Sequence, residues 1–308
     1  MKELAILISN IEKINLIDEY DNYKYEAKNH LTLWLNKAFE IIQKKIKDIP
    51  LTRVYFGNEF CERRIPTIDE MEKILAVCRE KNLKLTLLTS YCSNSGVDKI
   101  KKILDKFEQD EYFDEVVVND WGVLNLLKNK KSIKVVFGRV MDKMKRDPRV
   151  GQKDFIKLFN GEGLKMLRSP SASEHSYQKF LKENQVSRIE IDNVQQGLYL
   201  DDINDFDISV YLPFGFVTNG KICQFAGIHN EVKDKFKVTT PCRRECKELT
   251  QLMHKNISAI PDQLPADEVG RINLIRKGNT IFYLNEVIDD VVENKRINRI
   301  IYEPTVPM

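Results

Sequence analysis

Short stretches that are apolar along their whole length alternate with longer segments whose apolar residues recur every three to four positions, and this alternation runs through nearly all of the chain's 308 residues. Residues 3–8, 53–56, 84–88, 115–118, 133–137, 188–191 and 208–212 read as strands. A strand with one wet face alternates apolar and polar side chains; one that is apolar throughout has both faces covered, as in a parallel sheet under helices. Seven or eight such strand–helix units in a chain of this length fit a closed barrel better than an open sheet. The expected fold class is therefore α/β, a TIM-barrel-like (β/α) barrel.

The helical segments carry their own signals. From residue 23 to 46, Leu31, Leu33, Leu35, Ala38, Phe39, Ile42 and Ile46 recur at helical spacing. Thr67 with Glu70 has the form of a capping box, in which each side chain serves the other residue's backbone N–H. The helix it opens carries Met71, Ile74, Leu75 and Cys78 on one face. Further helices are expected at 97–107, 121–127 and 177–183.

Two segments break the rhythm. Residues 141–176 are rich in Lys, Arg, Gly, Ser and Pro and read as a long excursion or insertion near the site. From Arg271 onward the tail reads as a hairpin about Lys277, Gly278 and Asn279, a helix from Glu286 and a last strand over 299–302. There is no internal repeat, so residues 1–308 are expected to form a single domain.

Apolar and charged fractions of 42% and 31% exclude wholesale disorder, and a net charge of +3 is too small to argue for nucleic-acid binding by itself. No stretch approaches the roughly 20 apolar residues of a membrane span. The apolar run at the N-terminus is too short for a signal-peptide core, so a cytoplasmic location is expected. Thiols stay reduced there. The six cysteines then point to metal, to catalysis or to core positions.

Cys242 and Cys246 are three residues apart in a segment rich in arginine, and Pro241 disfavours helix just before them. That spacing lets two thiolates reach one metal centre. Cys223 lies upstream, at the end of a strand expected over 220–223. Cys61 follows the 53–56 strand, at the rim of a barrel where loops converge. Four thiolates suit a 4Fe–4S cluster or a tetrahedral zinc. Structural zinc usually shows two compact pairs; one pair with two distant singles favours the cluster. The alternative is that the four are core cysteines. Cys78 reads as core, and Cys92 as a core or loop thiol near the same rim.

Val54-Tyr-Phe-Gly-Asn-Glu-Phe-Cys-Glu-Arg-Arg64, Leu85-Thr-Leu-Leu-Thr-Ser90 and Asn119-Asp-Trp-Gly-Val-Leu-Asn125 resemble the collagenase-like "unclassified" peptidase family, and within it the UbiU/UbiV relatives. So do Arg188-Ile-Glu-Ile-Asp192, Tyr211-Leu-Pro-Phe-Gly-Phe216 and the tail from Leu274 to Pro304. The resemblance implies a barrel with a closing hairpin, helix and strand, and a 4Fe–4S cluster on Cys61, Cys223, Cys242 and Cys246. It also implies a related family member as partner, and oxygen-independent hydroxylation of a small molecule or RNA. A peptidase label belongs to the same family. The loop from Cys223 to Cys242 and the 141–176 excursion depart from the family's pattern.

In a barrel, Asn58, Glu59, Ser90, Asn119, Asp120, Arg139, Glu190 and Asp192 would line one pocket at the strand ends. Glu190 is expected within a strand, paired or else on a solvent-facing edge; Asp120 is expected to cap the helix at 121. Arg139 would bind an anion or pair with Asp120 or Glu190. Lys143, Lys145, Arg146 and Arg149 form a basic run expected on a solvated face. The four histidines show no metal spacing, and His229 is expected at the surface. No Gly-x-Ser-x-Gly elbow or His-Glu-x-x-His helix supports a hydrolase. The leading reading is a cluster-containing enzyme subunit; the alternative is a non-catalytic partner stabilised by its cluster.

Overall fold

Eight parallel strands close into a barrel in the order β1-β12-β7-β6-β5-β4-β3-β2. The computed structural model describes residues 2–254, 273–286 and 288–308. The barrel strands are β1 (Glu3–Ile8), β2 (Leu51–Gly57), β3 (Lys84–Leu88), β4 (Phe113–Val118), β5 (Lys134–Phe137), β6 (Val186–Asp192), β7 (Asp207–Leu212) and β12 (Arg299–Tyr302). Between β7 and β12 the chain forms β8 (Phe214–Asn219), β9 (Gln251–His254), β10 (Asn273–Lys277) and β11 (Thr280–Leu284). These make a separate antiparallel sheet in the order β8-β11-β10-β9.

Strand geometry sends alternate side chains to opposite faces. On β1, Leu4, Ile6 and Ile8 join the large core shared with the helices, while Ala5 and Leu7 pack with Tyr55, Leu88, Val117, Val136, Tyr211 and Ile301. Both sets are buried, which is why the strands are apolar throughout. The helices are α1 (Leu16–Glu19), α2 (His30–Ile46), α3 (Ile68–Lys81), α4 (Asn94–Phe107), α5 (Trp121–Leu127), α6 (Lys153–Ile156), α7 (Gly161–Arg168), α8 (His175–Glu183) and α9 (Asp289–Glu293).

Thr67 and Glu70 form the expected capping box, and Met71, Ile74, Leu75 and Cys78 are the buried residues of α3. The helix expected from residue 23 begins instead at His30. Asn29 accepts from the Thr32 N–H and Thr32 answers through its own side chain, a box that starts the helix there. Leu33, counted into the apolar face, is half exposed. The 141–176 excursion contains α6, α7 and the first turn of α8 rather than loop alone.

The hairpin turns at Gly278, as expected. The sequence did not reveal that β11 also pairs with β8 and β10 with β9. This sheet packs over α2 through Leu35, Ala38, Phe39, Phe214, Phe282 and Leu284, forming a second core at the barrel's edge. Arg271 lies outside the described residues. Among the described residues no helix is long and apolar enough to cross a membrane.

Candidate functional site

The C-terminal ends of the barrel strands carry two kinds of buried polar structure. The first fills the barrel's mouth. Arg139, two residues beyond β5, is fully buried and its guanidinium meets carboxylates from three other strand ends. It donates to Glu59 at 2.8 Å, to Asp192 at 3.1 Å and to Glu303 at 2.6 Å. It also donates to the Phe214 carbonyl at 2.9 Å and lies 3.5 Å from the Tyr211 ring centroid. Arg146 reaches the other oxygen of Asp192 at 2.5 Å. Burial, reinforced by Glu59, pushes the Glu303 carboxyl up to about 8 despite Arg139. Glu190 is also wholly buried and accepts from the Tyr211 hydroxyl at 2.5 Å. Burial first, then Glu59, pushes its carboxyl up to about 8.

The expected pocket residues thus gather at one end of the barrel but bond mainly to one another and to the backbone. Arg139 pairs with Glu59, Asp192 and Glu303, not with Asp120 or Glu190. Glu190 is inside the barrel, not on a solvent-facing edge. Asp120 caps α5, accepting from the Gly122 N–H at 2.7 Å, and also holds the Cys92 N–H at 3.1 Å. Asn119 bridges the Thr89 carbonyl and the Val140 N–H, and Ser90 is buried. Arg146, expected on a solvated face, is instead anchored on Asp192 and stacks 4.4 Å from the Phe216 ring centroid.

The second structure lies beside the mouth, under the antiparallel sheet. Cys61, Cys223, Cys242 and Cys246 line one small cavity with Arg63, Arg64, Lys221 and Met308 among its other walls. Four separate parts of the chain supply these thiols and walls, and specific bonds fix them to one another. Gly57 ends β2 at φ +124°, where a side chain would strike the Leu88 carbonyl, so the strand can turn sharply only with glycine. Asn58 then accepts from the N–H groups of Phe60 and Cys61 at 3.0 and 2.9 Å, setting the Cys61 backbone. Phe60 wedges edge-on against Phe216 and Phe282.

Arg63 reaches across to the carbonyls of Thr240 and Val238 at 2.6 and 2.8 Å, tying the Cys61 turn to the segment that leads into Cys242. Asn279, in the β10–β11 turn, donates to the carbonyls of Phe60 and Gly220 and to the Tyr91 hydroxyl. Cys223 accepts from the Ala226 N–H and Cys242 from the Arg244 N–H, at 3.5 and 3.3 Å. Cys223 does not end a strand: β8 stops at Asn219, and the chain reaches Cys223 through a turn.

Burial raises the Cys61 thiol to about 11, and the three other thiols add to the rise. Burial likewise raises Cys223 and Cys246, while Arg64 and Lys277 pull Cys246 back. Arg64 and Lys277 are the unusual members. Both are buried, at 8% and 6% exposure. Arg64 donates through Nη2 to the Ser9 carbonyl, and its Nη1 has no partner. Lys277 donates only to the Val306 carbonyl, at 3.3 Å, and burial lowers its ammonium to about 7. Among the described residues neither cation forms a direct ion pair with a carboxylate; Glu248 acts on Lys277 and Glu12 on Arg64 only from a distance.

Among the described residues, no three His, Cys, Asp or Glu side chains are grouped as ligands of a single metal ion. A tetrahedral zinc would draw its sulfurs to within about 4 Å of one another. The donor set is soft thiolate throughout, which suits iron–sulfur or zinc rather than a hard cation. Arg64, buried in the wall of the cavity that the four cysteines line, also suits an anionic thiolate-ligated centre. Cys78 is buried on α3, and Cys92 bonds to the Ser90 carbonyl outside this cavity's lining, so neither joins the set. His229 is exposed.

Sequence reasoning missed Arg63, Arg64, Asn279 and Lys277 as parts of the site. Arg63 and Arg64 directly follow Cys61 and Glu62, which was a readable signal. Lys277 and Asn279 sit in a hairpin turn, and only the sheet's docking brings them to the thiols.

Residues 37–139, about a third of the chain, match the family model of Peptidase family U32. The matched region runs from within α2 to Arg139 and includes Cys61 but not the other three cavity cysteines. The solved structure of the U32 peptidase Mk0906 aligns with 100% of this chain and 95% of its own at 10% identity and a TM-score of 0.42. A Plasmodium falciparum HPPK-DHPS crystallised with pterin and p-hydroxybenzoate aligns with 68% of this chain and 35% of its own, at 10% identity and a TM-score of 0.31. No curated protein matches.

Proposed function

We propose that this chain holds a 4Fe–4S cluster on Cys61, Cys223, Cys242 and Cys246 and serves as the redox subunit of a UbiU/UbiV-like, oxygen-independent hydroxylation system. The observation that carries the reading is the convergence of the four thiols on one small cavity whose wall includes the buried Arg64 guanidinium, which among the described residues forms no direct ion pair with a carboxylate. A buried charge without a close counter-charge costs several kcal/mol, so Arg64 favours an anion in the same cavity. Four thiolates around a cluster of charge +2 supply a net charge of about −2, and Arg63, Arg64, Lys221 and Lys237 in the cavity wall would offset it.

When bound, the cluster supplies one-electron transfer. The chain's own residues do the rest. Arg63 and Asn279 tie the three thiol-bearing segments together, N–H groups donate to the Cys223 and Cys242 sulfurs, and Phe60, Phe225 and Met308 limit water.

Anaerobic purification, followed by iron, sulfide and zinc analysis with a visible spectrum, tests the reading. About four iron and four sulfide per chain, lost in Ala variants at each of the four positions but kept in Cys78→Ala, is the expected result. One zinc, or no metal in freshly purified protein, overturns it.

A second reading is favoured by the mouth of the barrel. Glu59, Arg139, Asp192 and Glu303 close the place where barrel enzymes usually bind substrate. A chain so closed suits a non-catalytic partner whose related subunit holds the small-molecule or RNA substrate. Turnover that requires both subunits, while Arg139→Lys in this one leaves KM unchanged, would favour it. The same closure leaves little room for the peptide that a hydrolase would need.

A further inference from the structure

The segment from Gly220 to Thr250 differs from the rest of the surface in two independent ways. It carries seven basic and four acidic residues, which accounts for the chain's whole net charge of +3 and leaves the remainder balanced. It also holds six of the twelve large apolar side chains that are exposed among the described residues: Ile222, Ile228, Val232, Phe236, Val238 and Leu249. Val232 is 75% exposed and Phe236 58%. Apolar groups concentrated in this way on one basic segment mark an interaction surface.

This surface adjoins the thiols. Lys221, Lys237 and Val238 line the cysteine cavity together with Arg63. The segment folds on itself, since Gly227 is pressed against the Lys235 backbone, which brings Ile228 and Phe236 into one neighbourhood.

We propose that this face docks a small acidic electron-carrier protein, whose carboxylates meet the basic rim and whose apolar centre covers Val232 and Phe236. The proposal rests on the thiol cavity being a redox site and names the partner of that site. The exposed apolar groups are aliphatic except Phe236, so they offer bases little to stack on. Aliphatic groups with a charged rim match the anatomy of a protein–protein contact. On docking, the carrier's reduced centre gives up one electron and the thiolate-held centre gains it; no bond is made or broken.

The test measures binding of a plant-type [2Fe–2S] ferredoxin to the full chain by calorimetry, at about 20 mM and about 0.5 M salt, with iron assayed in the same preparation. The expected result is binding that weakens at least about tenfold at high salt. Val232→Asp with Phe236→Asp should weaken it about tenfold at both salts, and Lys233→Glu with Lys237→Glu at low salt only. Leu158→Asp with Met166→Asp, equally exposed apolar groups on the other excursion, should change nothing. No binding at low salt by iron-loaded chain, or binding indifferent to both surface pairs, overturns the proposal. So does tighter binding of poly(U) RNA or of anionic vesicles that is lost in the same variants. Iron-free chain that binds as expected supports the docking surface and counts only against the cluster.

Discussion

Arg139 and Arg64 are both buried arginines at the same rim of the barrel, yet their surroundings are opposite. Arg139 sits among Glu59, Asp192 and Glu303, with Arg146 sharing Asp192, so the charges inside the barrel compensate one another. The far end of the barrel repeats this pattern, where Arg299 and Arg53 enclose Glu115. Arg64 and Lys277 act instead on the Cys246 thiol, and among the described residues neither forms a direct ion pair with a carboxylate. A closed, self-neutral network belongs to the fold's own stability. An unbalanced one prepares for something that the fold does not itself contain.

That contrast can be broken by substitution. Arg139→Met would leave Glu59 buried without its cation and Asp192 with Arg146 alone, and should cost about 3–5 kcal/mol in urea unfolding. A loss below about 1 kcal/mol would mean the mouth is hydrated and not a closed network.

Acid should separate the two regions next. Burial works to raise the Glu115 carboxyl, but Arg299 and Arg53 outweigh it and hold the group at about 2. A depressed folded-state value means the stabilisation is present above the ordinary carboxylate value near 4.5 and is lost as pH falls toward 2. Glu115→Gln should flatten that limb of the stability–pH curve; an unchanged slope would place acid sensitivity elsewhere.

Lys277→Met should act with the opposite sign to Arg139→Met. In metal-free protein it removes a buried amine whose ammonium burial lowers to about 7, and should stabilise by about 1–3 kcal/mol. In metal-loaded protein the gain should shrink or reverse, because the thiolate centre loses its counter-charge. Destabilisation of the metal-free form would show that Lys277 is already compensated.

The smallest effect is expected at Glu190. Its raised folded-state value means that its contribution is complete below about 4.5 and is lost as pH rises through about 8. Glu190→Gln mimics the protonated acid, so it should change stability by less than about 1 kcal/mol at pH 6 while removing the alkaline loss. Thermal unfolding of both proteins across pH 6–9 distinguishes this from an ionised Glu190.

Local signals carried much of this structure. The continuous apolar strands, the Thr67–Glu70 box and the Lys277–Asn279 turn each state a preference that neighbouring residues decide, and each appears as read. The expected start of α2 was misplaced because helical spacing alone cannot mark an end; Asn29 and Thr32 supply the cap that does. Cys223 was assigned to a strand end because β-branched and apolar residues continue past Asn219, whereas pairing with β11 stops there. The partners of Arg139 lie 80, 53 and 164 residues away, and no local pattern could name them.

By itself the sequence determined that this chain builds covered parallel strands, and it marked Cys61, Cys223, Cys242 and Cys246 as residues apart from the core cysteine Cys78. Periodicity and residue chemistry are properties of neighbours along the chain, so they survive without coordinates. Tertiary structure alone decided that the barrel mouth is sealed by its own charges, that the four thiols share one cavity, and that Arg64 and Lys277 act on the Cys246 thiol. Those facts depend on strand closure and on the docking of β8–β11, which join residues more than two hundred positions apart. Only burial makes an unpaired cation costly enough to be informative.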